Sequence, residues 1–467
     1  MKQYLSFCKE TACIKLKKDY ILNINNIAGE ISIVKAENKK NNSKKEILHG
    51  KHISFNSLFP EEVYNQLANI RHIGFEVTDS CNLKCTYCIY GDLYDNHIPR
   101  LNKKMDIKKA KMLIDFLVIK IKSSANKSIL NRIAVSFYGG EPLLNMDFIK
   151  EMVSYTQRLN DEHIEFTYMV TTNAVYLKKY IEFLIEHDFS ITVSLDGSKE
   201  NNAYRKLKNN MPSYDIVYSN LKYIQEHHSN FFSQKIRFNT VMHNLNNSQE
   251  AFSFIYYNFR TVPHLSEINP AGINSYKKSF YKELVITKPF DRNETIENDM
   301  KEALGLDYGK LKQLQHFIFH YNGNIYDNYN ELLIKRKDMR RLPTATCIPF
   351  SKRIFVTVSG KIYPCERIGH QFVLGEITDK EVKIDCEYIA QKYNAYYKSL
   401  EKQCIKCYYQ KHCHQCIFDI HNLDTNPVCD QKATKQMLDE YIKNNMNILA
   451  KEPHLYKRIM TELITAN

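Results

Sequence analysis

Cys81, Cys85 and Cys88 lie in the string Cys81-Asn82-Leu83-Lys84-Cys85-Thr86-Tyr87-Cys88, just after the largely apolar run Ile73-Gly74-Phe75-Glu76-Val77. Three thiols spaced three and then two residues apart fit a tight loop around one compact metal centre. If that centre holds four irons, one iron lacks a protein ligand. An open iron can bind a small molecule, so the motif points to catalysis rather than scaffolding. The competing readings are three buried cysteines or part of a zinc site, although structural zinc usually takes four ligands in paired short spacings.

A second group follows between residues 347 and 429: Cys347, Cys365, Cys404, Cys407, Cys413, Cys416 and Cys429. The string Cys404-x2-Cys407-x5-Cys413-x2-Cys416 is too dense to be incidental. Zinc competes with iron–sulfur ligation here, because paired Cys-x2-Cys motifs are its usual ligands.

The elements that must position these residues are legible as alternation. From Arg71 to about Pro270, β-type runs at His72–Val77, Arg132–Phe137, Phe166–Thr171, Ser190–Leu195, Lys235–Val241 and near Ile268 alternate with helical stretches. The helices are expected at Met105–Ile121, Met146–Leu159, Tyr176–His187, Tyr214–His227 and Gln249–Asn258. Within the first, Ile107, Ala110, Leu113, Ile114, Leu117 and Val118 recur at helical spacing. Such alternation implies right-handed βαβ units and a parallel sheet. Six units are too few for a complete eight-unit barrel, so the fold class expected is α/β, a partial (β/α)6 TIM-like barrel.

Residues 1–70 read as a small α+β domain, with strands at Ile14–Leu16, Tyr20–Ile24 and Ile31–Val34 and a helix at Glu61–Ala68. The run Ala36–Lys45 is a polar loop. The barrel would occupy 71–270 and a charged bridge 271–345, with helical stretches at Ile296–Leu304 and Lys310–Tyr321. A cysteine-rich domain would occupy 346–432 and a helical tail 433–467.

With 467 residues, the chain is long enough for two or three cores. It has no apolar segment of membrane-spanning length and no signal-like stretch at Met1–Lys9, so a cytoplasmic location is expected. Reduced cytosolic thiols favour metal ligation over disulfides for the 13 cysteines. The formal net charge of +13 is dispersed among Glu, Asp and Asn rather than gathered into a stripe. That argues against nucleic acid as a partner and leaves a field suited to an anionic cofactor tail or an acidic peptide.

Taken together, these residues resemble the radical S-adenosylmethionine (SAM) enzymes that carry a C-terminal SPASM domain and modify ribosomally made peptides. The resemblance covers roughly residues 71–270 and 347–430. It implies SAM, one SAM-binding 4Fe-4S cluster on Cys81, Cys85 and Cys88, and Tyr87 against the adenine. It places Tyr138-Gly139-Gly140-Glu141-Pro142 on the SAM amino group, where glycines let backbone approach and Glu141 accepts bonds. Thr172, Asn173, Ser194 and Asp196 would line the pocket at strand C-terminal ends, and Arg205 would hold the SAM carboxylate.

The same resemblance implies two auxiliary 4Fe-4S clusters. Cys404, Cys407, Cys413 and Cys429 would hold the outer one, and Cys347, Cys365 and Cys416 the inner one. The last gap, between Cys413 and Cys416, is two residues where three is common. The inner set lacks an obvious fourth ligand, for which Cys386, Cys8 and Cys13 are candidates. Glu366, next to Cys365, stands where related sulfatase-maturing enzymes carry an aspartate base, one methylene longer here.

The activity implied is hydrogen abstraction from a precursor peptide, ending in a thioether or carbon–carbon crosslink. Its leader would bind residues 1–70 by pairing onto a sheet edge, and a flavodoxin or ferredoxin would supply electrons. The alternatives are formylglycine formation in a sulfatase and a non-catalytic iron–sulfur electron carrier.

Overall fold

The strand–helix alternation read between residues 72 and 267 is what the chain builds. The computed structural model describes residues 5–7, 11–17, 20–25, 30–35, 55, 57–95, 100–126, 128, 130–287, 314–315, 317–318, 342–409, 413, 415–420, 422–453, 455–456 and 459. The polar run 36–45 and the helix expected over 296–304 lie outside the described residues.

A four-stranded antiparallel sheet comes first, in chain order: β1 (Leu5–Phe7), β2 (Thr11–Lys17), β3 (Tyr20–Asn25) and β4 (Glu30–Lys35). The three strands expected here fall inside β2, β3 and β4. Strand β1 was not expected, because three residues carry no readable period.

The second sheet has ten strands. Six lie parallel, side by side: β5 (His72–Thr78), β6 (Asn131–Gly139), β7 (Ile164–Thr172), β8 (Ser190–Ser194), β9 (Ile236–Met242) and β10 (His264–Glu267). On the far side of β5 the sheet gains β11 (Ile354–Val356), also parallel, with Ile354 opposite Ile73. From there it turns antiparallel through β12 (Lys361–Tyr363), β13 (Gly375–Ile377) and β14 (Val382–Ile384).

Helices α1 (Pro60–Ala68), α2 (Ile107–Ile121), α3 (Met146–Gln157), α4 (Leu177–Glu186), α5 (Tyr214–His227), α6 (Ser229–Lys235), α7 (Ser248–Phe259) and α8 (Lys278–Leu284) accompany the parallel strands. The α2 helix begins at Ile107, the first residue of its apolar period and two residues after the expected start at Met105. Asp106 caps it by accepting the Lys108 N–H at 2.8 Å. Helix α1 packs on α2, and α2 on α3.

A parallel sheet covered on both faces reads as unbroken apolar runs. Strand β5 is buried at every position from Ile73 to Thr78, whereas β6, β7 and β8 alternate. Phe75, Phe137, Val135, Ile191, Val193 and Phe238 are buried, and Phe137 meets Phe148 of α3 and Phe189 at ring separations of 6.4 and 5.9 Å. Their neighbours Ser136, Tyr138, Thr192, Ser194 and Asn239 are only half buried. One face of the sheet is therefore a helix-packed core, and the other is polar and reachable.

The chain divides into two compact units, Phe59–Gly305 with Cys347–Gln391, and Met1–Leu58 with Leu306–Thr346 and Lys392–Asn467. Within the latter, Tyr393 and Tyr396 of α9 (Cys386–Ile405) set their rings edge-on to Phe418. There α10 (Lys435–Lys451) buries Leu438, Ile442 and Met446 against Leu314, Phe317 and Ile318. Residues 314–315 and 317–318 are helical, inside the stretch expected over 310–321.

Candidate functional site

The loop carrying Cys81, Cys85 and Cys88 leaves the C-terminal end of β5 and is held from three sides. On the first, the chain returns antiparallel: the Asp79 N–H donates to the Lys103 carbonyl at 3.2 Å, and the Leu101 N–H to the Asp79 carboxylate at 2.8 Å. On the second, the turn after β6 donates from Gly140 N to Thr78 O and from Glu141 N to Ser80 O, both at 2.8 Å. On the third, Lys84 N and Thr86 N donate to the carbonyls of Lys206 and Tyr204 at 2.8 and 3.2 Å.

The two glycines are required by the second contact. A Cβ at Gly139, whose φ is +126°, would stand 2.3 Å from the Thr78 carbonyl, and one at Gly140 would stand 2.1 Å from that of Ser80. The close approach is thus to the chain's own backbone at the root of the cysteine loop. Pro142 follows, buried, and opens the 3-10 turn Pro142–Asn145.

The Glu141 carboxylate is buried and accepts three protein donors: Thr172 Oγ1 at 2.7 Å, Asn173 N at 2.8 Å and Leu143 N at 3.1 Å. Burial pushes its carboxyl up to about 7 against those bonds. It ties the end of β7 to the turn after β6. Asn173 continues the tie by donating to Asn82 Oδ1 at 2.8 Å, inside the cysteine loop.

Asp196, after β8, is fully buried and grips Arg205: Nε and Nη2 each donate at 2.9 Å to different carboxylate oxygens. Burial alone would raise the Asp196 carboxyl, but Arg205 and His243 outweigh it and hold it at about 2. The Tyr87 hydroxyl donates to the same carboxylate. The Tyr87 ring stacks on His243 at 5.6 Å and lies under the Arg205 guanidinium at 5.4 Å. The carboxylate and the cation expected at a ligand are therefore turned on each other, and both fix the aromatic between Cys85 and Cys88. Ser194 ends β8 half-buried on the polar face.

Cys81, Cys85 and Cys88 are free thiols. Burial raises Cys81, with Cys88 adding to the rise, and raises Cys85 to about 12, with Cys88 and Cys81 adding. Among the described residues no three His, Cys, Asp or Glu side chains stand in the geometry of an assembled metal centre. The donors fit an iron–sulfur cluster by chemistry: three thiols on one anchored loop, close enough to feel one another, with two arginines beside them.

In the second cysteine group Cys404, Cys407, Cys413 and Cys429 lie in one unit. Burial lifts Cys404 to about 12, and the other three add to the rise. Cys416 belongs to the same unit and precedes the 3-10 turn Ile417–Asp419. Cys347 and Cys365 lie in the other unit, where burial raises Cys365 to about 11 with a contribution from Cys347. Cys386 is the first residue of α9, Cys13 sits on β2, and Cys8 lies outside the described residues. Glu366 is ion-paired, with both oxygens 3.0 Å from Arg353 Nη1.

Three residues at this site escaped the sequence reading. His243 follows β9 and has no motif around it. Glu76 sits on β5 itself, buried, accepting the Val358 N–H at 2.9 Å, and burial raises it to about 7. Arg100 Nη2 lies 3.2 Å from Cys88 Sγ. An acidic residue inside an apolar strand was the one available signal, at Glu76.

Comparison with known proteins agrees with this geometry. Residues 75–253 match the model of the Radical SAM superfamily. An uncharacterized protein of Methanocaldococcus jannaschii is 36% identical over 31% of this chain and 45% of its own length, so less than half of that relative is matched. The cysteine-type anaerobic sulfatase-maturating enzyme of Clostridium novyi is 26% identical over 65% of this chain and 75% of its own. The radical SAM cyclopropyl synthase TigE of Paramaledivibacter caminithermalis is 23% identical over 74% and 67%. Among solved structures, native anSMEcpe with bound AdoMet shares the fold, with a TM-score of 0.52 and 17% identity over 84% of this chain and 99% of that one.

Proposed function

We propose that residues 75–253, which match the Radical SAM superfamily model, belong to an enzyme that abstracts hydrogen from a peptide and leaves it oxidised by two hydrogens. The observation that carries this reading is the anchored loop of Cys81, Cys85 and Cys88, pinned at its root by Gly139, Gly140 and Glu141. These thiols would hold a 4Fe-4S cluster, which with SAM supplies the hydrogen-abstracting radical. The protein's part is orientation and exclusion of water. Asp196 and Arg205 hold Tyr87 in place; Glu141 holds Thr172 and Asn173; Ser194 faces the ligand side of the sheet.

Cys404, Cys407, Cys413 and Cys429 would hold an outer auxiliary 4Fe-4S cluster, and Cys347, Cys365 and Cys416 an inner one of a SPASM domain over 346–432. The partial barrel would span 71–270, joined through 271–345, with a helical tail at 433–467. Glu366 is a poor general base while Arg353 occupies both its oxygens. The domain at 1–70 would take the substrate's leader, a role supported by its small antiparallel sheet, whose outer strands can accept an added strand. A flavodoxin or ferredoxin would deliver electrons in the cytoplasm.

The product favoured is a thioether or carbon–carbon crosslink. Formylglycine formation is the second reading, supported by relatives named as sulfatase-maturating enzymes over 65% of the chain. Mass spectrometry of a candidate precursor peptide, co-produced anaerobically with the enzyme or with Cys81→Ala, separates them. A crosslink removes two hydrogens and nothing else. Formylglycine from cysteine also replaces sulfur by oxygen. A peptide unchanged by intact enzyme would contradict the peptide assignment.

A further inference from the structure

Resting on the reading that Cys81, Cys85 and Cys88 hold a cluster, we propose that Arg100 is a positioning residue that sets the cluster's reduction potential through a hydrogen bond to Cys88 Sγ. The two arginines beside the loop are not equivalent. Arg205 has spent Nε and Nη2 on Asp196. Among the described residues Arg100 has no carboxylate within ion-pair distance, and its buried Nε has no hydrogen-bond partner.

What holds Arg100 is the sulfur and a ring. Nη2 lies 3.2 Å from Cys88 Sγ, well inside the reach of an N–H···S bond, and the guanidinium sits 5.0 Å over the Tyr90 ring. Its place is fixed by the next residue, since the Leu101 N–H donates to the Asp79 carboxylate at 2.8 Å. Asp79 is itself two residues before Cys81. The cation is therefore delivered to the sulfur by the same antiparallel return that roots the cysteine loop.

A ligated sulfur carries negative charge, and each added electron makes the cluster more negative. A fixed cation donating to that sulfur stabilises the reduced state more than the oxidised one and raises the potential. Guanidinium suits this because it stays charged and presents its donors in a rigid fork. A flexible lysine could keep the charge without the aimed donor.

The test is a potentiometric titration of the reconstituted holoenzyme read by EPR, following the signal that disappears in Cys81→Ala. Arg100→Gln should move that midpoint negative, lowering the reduced-to-oxidised ratio at fixed potential roughly tenfold, which is 59 mV for one electron. Arg100→Lys, which keeps the charge without the aimed donor, should recover only part of the shift, and full recovery by lysine would overturn the hydrogen-bond assignment. A glutamine midpoint equal to wild type would overturn the assignment while leaving the cluster reading intact. Wild-type enzyme lacking a signal sensitive to Cys81→Ala would overturn both.

Wild-type enzyme produced with 15N-arginine provides a check that needs no variant. Pulsed EPR on the reduced cluster should show a nitrogen coupling through the N–H···S bond, and its absence would overturn the proposal.

Discussion

At the scale of single residues, the site is governed by buried charge. Arg205 and Asp196 are both almost wholly inaccessible, and each satisfies the other in a bidentate pair. Removing one partner of such a pair leaves an uncompensated charge in a low-dielectric interior. Arg205→Met should destabilise the protein by about 3–5 kcal/mol in urea unfolding; a loss under about 1 kcal/mol would mean Asp196 finds another partner. Glu76 behaves in the opposite sense. Burial raises its carboxyl from 4.5 to about 7, so between those values the folded state keeps a proton that an unfolded glutamate releases. Stability from this group is complete below about pH 4.5 and is lost as pH rises through 7, by up to about 3 kcal/mol. Glu141 slopes the same way. Glu76→Gln keeps an acceptor for the Val358 N–H, so thermal unfolding of the cluster-free variant should fall less steeply from pH 5 to 8 than wild type. Equal slopes would place the titration elsewhere. The cysteines and Glu141 could be singled out from type and spacing. The partners of Glu141 could not, because Thr172 and Asn173 are some thirty residues away and only the β6–β7 pairing brings them to it. Arg100 and His243 carried no local pattern at all.

At the scale of elements, the parallel strands β6, β7 and β8 were readable because each alternates a helix-packed apolar residue with a polar one. The ends were less so: α2 starts at Ile107, where Asp106 caps it, and not at Met105. The short strands β11 to β14, three residues each, are below the length at which any period shows. The Gly-Gly-Glu-Pro turn was readable as a strand-ending glycine motif, while the reason for its glycines was not. Both lie against carbonyls of residues 78–80, so the turn is a brace for the cysteine loop. Gly140→Ala would put a methyl 2.1 Å from the Ser80 carbonyl and 2.8 Å from that of Asp79. The backbone there must move, at a cost of about 2–4 kcal/mol. The variant should retain less iron on the first loop after reconstitution, measured as iron per chain against the Cys81→Ala baseline. Wild-type iron content and melting temperature together would show that the brace is dispensable.

At the scale of the whole molecule, one sheet joins parts of the chain that are far apart in sequence. Strand β11 pairs with β5 across nearly three hundred residues, and Val358 beyond it satisfies Glu76. The cysteine-loop strand is thus interior to the sheet, flanked by β6 and β11. No long-range pairing of this kind is visible in a single sequence, where residues 347–391 read as part of a separate cysteine-rich region. No helix among the described residues is long and apolar enough to cross a membrane. In the proposed function, this assembly breaks SAM reductively at the loop of Cys81, Cys85 and Cys88. The most direct measurement is 5′-deoxyadenosine formation by the anaerobically reconstituted full chain with SAM and a strong reductant, beside Cys81→Ala loaded in parallel. Wild type should form 5′-deoxyadenosine, and the variant none above background. Iron-replete wild type that forms none, or a variant that forms as much, would contradict it.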